Sequence, residues 1–365
     1  MRYSAVATGA LALWLGVAGT LAGSSAALAQ AAVKPGEDAR LYELAKQEGS
    51  LVWYESGPLE AMQAVAHDFE AAYPGVKVVV QRIVGVAQYQ RFLKETQAQQ
   101  YIVDVLGISD QPSMADLTAQ GMLVNWKVPT HDRFPADMRI GDTAYAAYIN
   151  DNVVVYNTRK VTPEEIAALS ESWKGLLDPR FKGRIAITAQ SCGACYSAVH
   201  MFLDPKLKDQ YGVKFLEALA AQKPAVYSDI VTVVDRVLSG ERDIGVWPAE
   251  GVGFTKWADG APIRWLRPKP TPIYGANWQG ISKFAPHPNA ARLFEDWSMS
   301  EAGAKSVQLR YGAIITLSGI PDIRPVAKES WYPAITDKYI PDFDRWTKNF
   351  DSDMALWTKI LKSGQ

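Results

Sequence analysis

The sequence predicts a two-lobed α/β protein, each lobe a mostly parallel sheet flanked by helices with a cleft between them. Short apolar runs alternate with segments of helical spacing in a β-α-β-α-β rhythm, the pattern of a mostly parallel sheet covered by helices. At 365 residues the chain exceeds the ~250–300 at which a single hydrophobic core tends to divide. Two stretches without helical period, residues 143–157 and 263–278, break the rhythm where extended chain is expected to cross between lobes. Two crossings permit closure about a hinge.

Taken in order, residues 1–29 read as an export signal. Arg2 supplies a weak positive start, an apolar stretch follows from Ala10 to Leu21, and Ala27-Leu28-Ala29 offers a small-x-small cleavage site before Gln30. The apolar stretch is shorter than the ~20 residues of a spanning helix. Residues 37–48 have helical spacing and stop at Gly49; Leu51-Val52-Trp53-Tyr54 is a short buried strand that runs into Glu55-Ser56-Gly57-Pro58. Met62, Val65, Ala66 and Phe69 repeat at helical spacing up to Tyr73-Pro74-Gly75, and residues 76–82 form the next strand. Residues 89–99 read as helix, 103–106 as strand, and 114–120 as helix stopped by Gly121. Within 143–157, two apolar runs flank the polar residues Asn150 to Asn152.

Thr162-Pro163 ahead of Glu164-Glu165 marks a helix start, where acidic residues suit the helix dipole. From Trp173 the chain passes through the apolar run 184–188 into Ala189-Gln190-Ser191-Cys192-Gly193-Ala194-Cys195-Tyr196, which opens an amphipathic helix. A strand handing over to a helix aims several unpaired N–H groups at one point, a ready ligand cradle. Asp229 is placed to cap a helix through Val237, and His287 sits between two prolines before a helix over 289–299.

Composition excludes more than it identifies. With 38 Lys+Arg against 39 Asp+Glu there is no basic field for nucleic acid. Twelve Trp and sixteen Tyr suit a solute cleft as well as a core. Motifs for a nucleophile elbow, a phosphate-binding loop or a zinc-binding His-Glu-x-x-His helix are absent from the sequence. No cofactor, metal or catalytic residue is expected. Cys192 and Cys195 are the two cysteines. After export, a local disulfide between them is expected to shape the cradle, and a thiol-disulfide oxidoreductase is the alternative from another class.

Several landmarks carry a resemblance: Leu51 to Tyr54, Phe69 to Val78, Asp104-Val105-Leu106, Asp116-Leu117 with Gly121-Met122-Leu123, Val155-Tyr156-Asn157, Trp173 to Gly183, Ser239 to Gly245, and Ala285 to Phe294. In this order they resemble extracellular solute-binding proteins of ABC importers, within the ferric-ion-binding-like branch of the type II periplasmic binding fold. The resemblance implies two lobes: lobe 1 from 30–146 and 267–318, lobe 2 from 147–266, and a C-terminal helical segment, 319–365, packed on lobe 2. It also implies a periplasmic location and a membrane permease with its ATPase as partners. Ferric-binding members are expected to present a His after the first strand, a Glu after the Asp-Val strand and a tandem Tyr pair after the Gly-Glu-x-Asp-Ile-Gly strand. The corresponding stretches here read Glu55 to Pro58, Ser109-Asp110 and Trp247 to Gly251, and none supplies the expected ligand.

What stands there instead is aromatic and acidic, which favours a small organic solute that is aromatic, cationic or zwitterionic. A ferric ion or a small anion held at helix N-termini, such as phosphate, phosphonate or carboxylate, is the alternative cargo. The expected ligand contacts are Tyr54, Ser56, Asp110, Asn277 and Trp278 in lobe 1, and Ser191, Cys192, Tyr196, Ser228, Asp229 and Trp247 in lobe 2. The protein is expected to act as a monomer.

Overall fold

The computed structural model describes residues 37–83, 85–109, 111–188, 193–227, 229–333 and 335–364. The chain opens with α1 (Glu37–Glu48), β1 (Ser50–Glu55), α2 (Leu59–Ala72), β2 (Lys77–Arg82), α3 (Val86–Gln97), β3 (Val105–Ile108) and α4 (Gln111–Ala119). The short β4 (Arg139–Ile140) leads into β5 (Ala144–Asn157), a single strand of 14 residues. Next come α5 (Pro163–Glu171), β6 (Ile185–Thr188), α6 (Gly193–Phe202), α7 (Gly212–Ala221), β7 (Ala225–Tyr227), α8 (Ile230–Leu238), β8 (Ile244–Ala249) and α9 (Glu250–Ala258). The chain closes with β9 (Ile263–Leu266), β10 (Thr271–Ile281), α10 (Pro288–Ser298), α11 (Glu301–Arg310), β11 (Ile314–Ile315), β12 (Lys338–Tyr339) and α12 (Phe343–Gly364).

Local chemistry accounts for many of these boundaries. Gly49, directly after α1, and Gly121, separated from the end of α4 by Gln120, take positive φ, the left-handed geometry that ends a helix. Thr162 and Glu165 form a reciprocal capping box at α5, and the Ser300 hydroxyl accepts from the first amides of α11.

The strands follow the order β2-β1-β3-β10-β5-β8-β6-β7. The first three are parallel, as are β8, β6 and β7. Between these two parallel sets, β10 and β5 run antiparallel to their neighbours. The first half of β5 pairs with β10 from Tyr145 to Asp151, and its second half pairs with β8 and β9 from Asn152 to Asn157. The two apolar runs read from the sequence are therefore one strand that belongs to both lobes. The 263–278 stretch supplies the second crossing as β9 and β10. This is the type II periplasmic binding fold.

Separate cores form on either side of these crossings. Leu51, Trp53, Phe69, Phe294 and Trp297 pack on one face of the first sheet; Tyr54, Phe92, Leu106 and Trp278 pack on the other. The second core gathers Trp173, Tyr196, Phe202, Trp247, Trp265 and Trp357. α12 contributes Trp346, Met354 and Trp357 to that core and packs against α6 and α7.

Trp173 ties this core to the crossing. It is fully buried, edge-on to Phe202 at 5.7 Å, and its indole N–H donates to the Pro270 carbonyl at 2.8 Å. Trp173→Ala is expected to lower the free energy of unfolding by about 3–5 kcal/mol. Leu59→Ala, at an exposed helix start, is expected to change it by no more than about 0.5 kcal/mol. Urea denaturation of the two variants checks the contrast.

Candidate functional site

Ligands in open α/β sheets bind beyond the carboxyl ends of the strands. At that end of β1, Glu55 closes the strand fully buried. Its Oε1 accepts from the Gly57 amide at 3.0 Å, the Tyr148 hydroxyl at 2.9 Å and the Asn277 side-chain amide at 2.5 Å. Its Oε2 has no partner, nor do the buried Trp53 Nε1 and Asn277 Oδ1. Space around Oε2 is tight: a Cβ added to Gly107 would lie 2.0 Å from it. With no cation bonded to it, burial pushes the Glu55 carboxyl up to about 8, against the opposing hydrogen bonds from Gly57 and Tyr148.

A second cluster lies where β5 passes between the lobes. Asp151 and Glu250 are buried with Arg267 and Arg324. Arg267 Nε donates to Asp151 at 2.7 Å, and its Nη2 donates to Glu250. Arg324 donates to the other oxygen of Glu250 at 3.0 Å and to Asp322 at 2.7 Å. The Tyr332 hydroxyl donates to Glu250 at 2.6 Å, and both guanidiniums lie over the Tyr332 ring at 4.9 and 5.4 Å. Glu250 opens α9, Asp151 is the midpoint of β5, Arg267 follows β9, and Arg324 lies beyond β11. The network therefore draws chain from both lobes to one point. Asp151 Oδ1 has no partner within it.

Tyr311 joins the two clusters. Its ring is edge-on to Tyr148 at 5.4 Å, its hydroxyl donates to Asn150 at 3.2 Å, and burial together with Glu55 and Asp151 holds its pKa well above the ordinary phenol range. Gly251, the second residue of α9, presses on it: an added Cβ would approach the Tyr311 ring to 2.5 Å and its carbonyl oxygen to 2.9 Å. The lobes meet at this glycine because nothing larger fits.

The contacts expected from the sequence divide sharply. Asn277 and Ser56 lie at this site; the Ser56 hydroxyl is spent on the Gly107 carbonyl at 3.1 Å and on Gln88 at 3.2 Å. Side chains alternate along a strand, so Trp53 and Glu55 share the site's face of β1 and Tyr54 points to the other core. There its hydroxyl donates to both oxygens of Glu95 at 3.1 Å, under the Arg91 guanidinium. The same alternation buries Trp278 opposite Asn277.

Tyr196 is a core residue of the second lobe, its hydroxyl donating to Asp353 at 3.0 Å. Trp247 is buried against Phe202 and Trp357 at φ 74°, and its carbonyl accepts from Asn152 at 2.8 Å. Asp229 caps α8, accepting from the Val231 and Thr232 amides at 2.9 Å. Tyr196 and Trp247 pack in the core and Asp229 caps a helix. Asp110, Ser191, Cys192 and Ser228 lie outside the described residues, as does the export signal; the side chain of Cys195, and with it the expected disulfide, is likewise outside them.

Tyr148, Asn150, Asp151, Arg267, Tyr311, Arg324 and Tyr332 are the site residues that sequence reasoning did not select. The signal that could have found some of them is the polar break Asn150-Asp151-Asn152 inside an otherwise apolar strand. Among the described residues no group of three or more His, Cys, Asp or Glu side chains could hold a metal ion.

The model of the bacterial extracellular solute-binding protein family matches residues 51–312. Among solved structures, the chain is similar to a substrate-binding protein of an ABC transporter from Agrobacterium tumefaciens, at 19% identity and a TM-score of 0.71 over 86% of this chain and 94% of that one. Iron-bound HitA from Pseudomonas aeruginosa superposes at 19% identity and a TM-score of 0.66 over 85% and 99% of the two chains. AfuA from Actinobacillus pleuropneumoniae, a periplasmic binding protein with fructose-6-phosphate bound, does so at 22% identity and a TM-score of 0.65 over 86% and 99%. An uncharacterized protein of Haemophilus influenzae is 29% identical over 148 residues, 40% of this chain and 42% of that relative. The chain belongs to the bacterial extracellular solute-binding protein family.

Glu295, also buried in the first lobe, is pushed up to about 8 by burial. A carboxyl raised in the fold binds its proton more tightly there than in the unfolded chain. Its contribution to stability is therefore full below the ordinary value near 4.5 and is lost as pH rises through about 8. The thermal midpoint should fall as pH is raised from 5 to 8, and Glu55→Gln should flatten that slope, both read by calorimetry across the range. Gly251→Ala should cost about 1–3 kcal/mol and enlarge the radius of gyration measured by small-angle X-ray scattering, because the added methyl parts α9 from Tyr311.

Proposed function

We propose that this chain is the exported receptor of an ABC import system, capturing a small organic solute between its lobes and delivering it to a membrane permease and its ATPase. The supporting observation is a set of buried, unpartnered polar atoms in β1, β5 and β10: Glu55 Oε2, Asp151 Oδ1, Asn277 Oδ1 and Trp53 Nε1. Three of the four are acceptors, and Trp53, Tyr148 and Tyr311 stand around them. Such a lining suits a hydrogen-bond-donating, cationic or zwitterionic head with aromatic contacts. Binding then works as a population shift, because a solute that bridges the lobes stabilises the closed form only through contacts that the open form lacks.

Anion or ferric-ion capture has less in its favour. Arg267 and Arg324 already face Asp151, Glu250 and Asp322. The phenols of Tyr311 and Tyr332 are raised, first by burial, so that neither is readied as a phenolate for iron. The division into 30–146 with 267–318, and 147–266 carrying 319–365, is supported by the separate cores and by α12 packed on α6 and α7, while Tyr148 and Ile149 pack in the first-lobe cores, beyond the 146/147 boundary.

Native mass spectrometry of freshly purified protein tests this reading. The expected result is a retained small organic mass in the intact protein, reduced at least tenfold in occupancy by Asn277→Ala. A protein that never carries a solute, and whose melting point no extract of small metabolites raises, overturns it.

A further inference from the structure

We infer that Glu55 is the solute's counter-ion and that it exchanges its own proton for the solute's cationic group, so that each binding event releases one proton. This rests on the solute-receptor reading and deepens it by naming the cargo's charge and the residue that selects it.

The geometry of Glu55 carries the inference. One carboxyl oxygen is saturated by three donors from three separate segments: the Gly57 amide, the Tyr148 hydroxyl and the Asn277 amide. The other oxygen is enclosed and has no partner. Three hydrogen bonds to Oε1 hold the carboxyl in one orientation, which keeps Oε2 directed away from them. A buried carboxylate needs a cation or must stay protonated. No lysine or arginine bonds to it among the described residues. The groups that face it are Tyr148 on β5, Tyr311 after α11, and Arg82 at the end of β2. Arg82 is exposed, and its Nε is given to the Gly57 carbonyl at 3.0 Å. Tyr148 donates to the carboxyl as a neutral phenol, and Asp151 and Glu250 lie beyond Tyr311, already matched by two arginines. Without solute the carboxyl therefore keeps its proton through neutral pH, in keeping with the upward push of burial.

A primary or secondary ammonium brought against Oε2 changes this balance. It supplies the missing positive charge and an N–H donor, and the Glu55 proton passes to solvent. The exchange is R–NH₃⁺ + Glu55–COOH → R–NH₃⁺···⁻OOC–Glu55 + H⁺, balanced in atoms and charge. Because one proton leaves per solute bound, the affinity should rise by about tenfold per pH unit below the carboxyl's own transition. A carboxylate or phosphate brought to the same oxygen offers neither charge nor donor.

The experiment has a ligand-free arm and a probe arm. Carbon-13 spectra of protein labelled at glutamate carboxyls, with Glu55→Gln to assign the signal, follow the Glu55 titration. A transition well above 6 is expected, and one in the ordinary range near 4.5 overturns the inference. The probe arm uses putrescine, agmatine and ethanolamine, with succinate and glycerol 3-phosphate as anionic counterparts. At pH 6.5 at least one amine should raise the melting point and drive the Glu55 signal to its ionised position. Its calorimetric enthalpy should differ between phosphate and imidazole buffers by the amount expected for one proton, and Glu55→Gln should weaken it by tenfold or more. An amine that binds with the Glu55 signal unmoved, stabilisation by the anions alone, or no amine binding at all overturns the cation exchange. Retention of some other solute in native mass spectrometry would still uphold the receptor reading, so the two failures are distinguishable.

Discussion

Everything in this fold depends on a single strand that belongs to both lobes. β5 is paired first to β10 and then to β8 and β9, and all its residues but Ala147 are buried. Yet its middle is Asn150-Asp151-Asn152, all buried. A buried charge must be matched, and the match comes from Arg267, which in turn needs Glu250, which takes Arg324. One acidic residue at the crossing thus recruits an arginine from the far end of β9, the first residue of α9 and a segment beyond β11. Removing one member leaves a charge stranded, a loss of the order of 3–5 kcal/mol. The network therefore ties chain from both lobes together at the crossing.

The two buried glutamates at the strand ends solve the same electrostatic problem in opposite ways. Glu250 is compensated by two guanidiniums and the Tyr332 hydroxyl. Glu55 has only neutral donors and must hold a proton in their place. The difference is chemically useful. A carboxyl already satisfied by arginine has nothing to offer a cationic solute, whereas one made neutral by burial can become an anion at the moment a cation arrives. Structural and ligand-directed carboxylates are told apart here by their partners rather than by their burial.

Local features of the fold were legible in the sequence because they are local in origin. The apolar spacing in α2, the capping pair Thr162 and Glu165, and the glycines that end α1 and α4 each act within a few residues. The crossings were legible too, from the loss of helical period. The candidate site was legible only in part, for two physical reasons. Strand parity decides which of two neighbouring residues faces the cleft: a segment ending Trp53-Tyr54-Glu55 places its phenol in one core and its carboxyl in the other environment. A shift of one residue reverses that choice, and the sequence of β1 is apolar enough on both faces to hide it. The second reason is distance along the chain. Glu55 and Asn277 are 222 positions apart, and Tyr311 lies 161 from Asn150; no periodicity brings such pairs together. Trp247 and Tyr196 show a related ambiguity, since both are buried in the second core and large aromatics serve a core as readily as a ligand.

Closure and selectivity are consequently hard to separate in this molecule. Gly251 and Tyr311 form the contact between α9 and the first lobe, while Tyr311 also touches Tyr148, which holds Glu55. Tyr148 thus stands between the lobe contact and the carboxyl. Surrounded by neutral donors alone, the buried Glu55 demands a proton or a cation. A solute that satisfies this demand stabilises the closed form over the open one, the differential interaction that a population shift requires. A neutral solute of the same shape gains no such difference from Glu55. The selection for charge at this position therefore comes from burial, which leaves one carboxyl oxygen dry and without a partner.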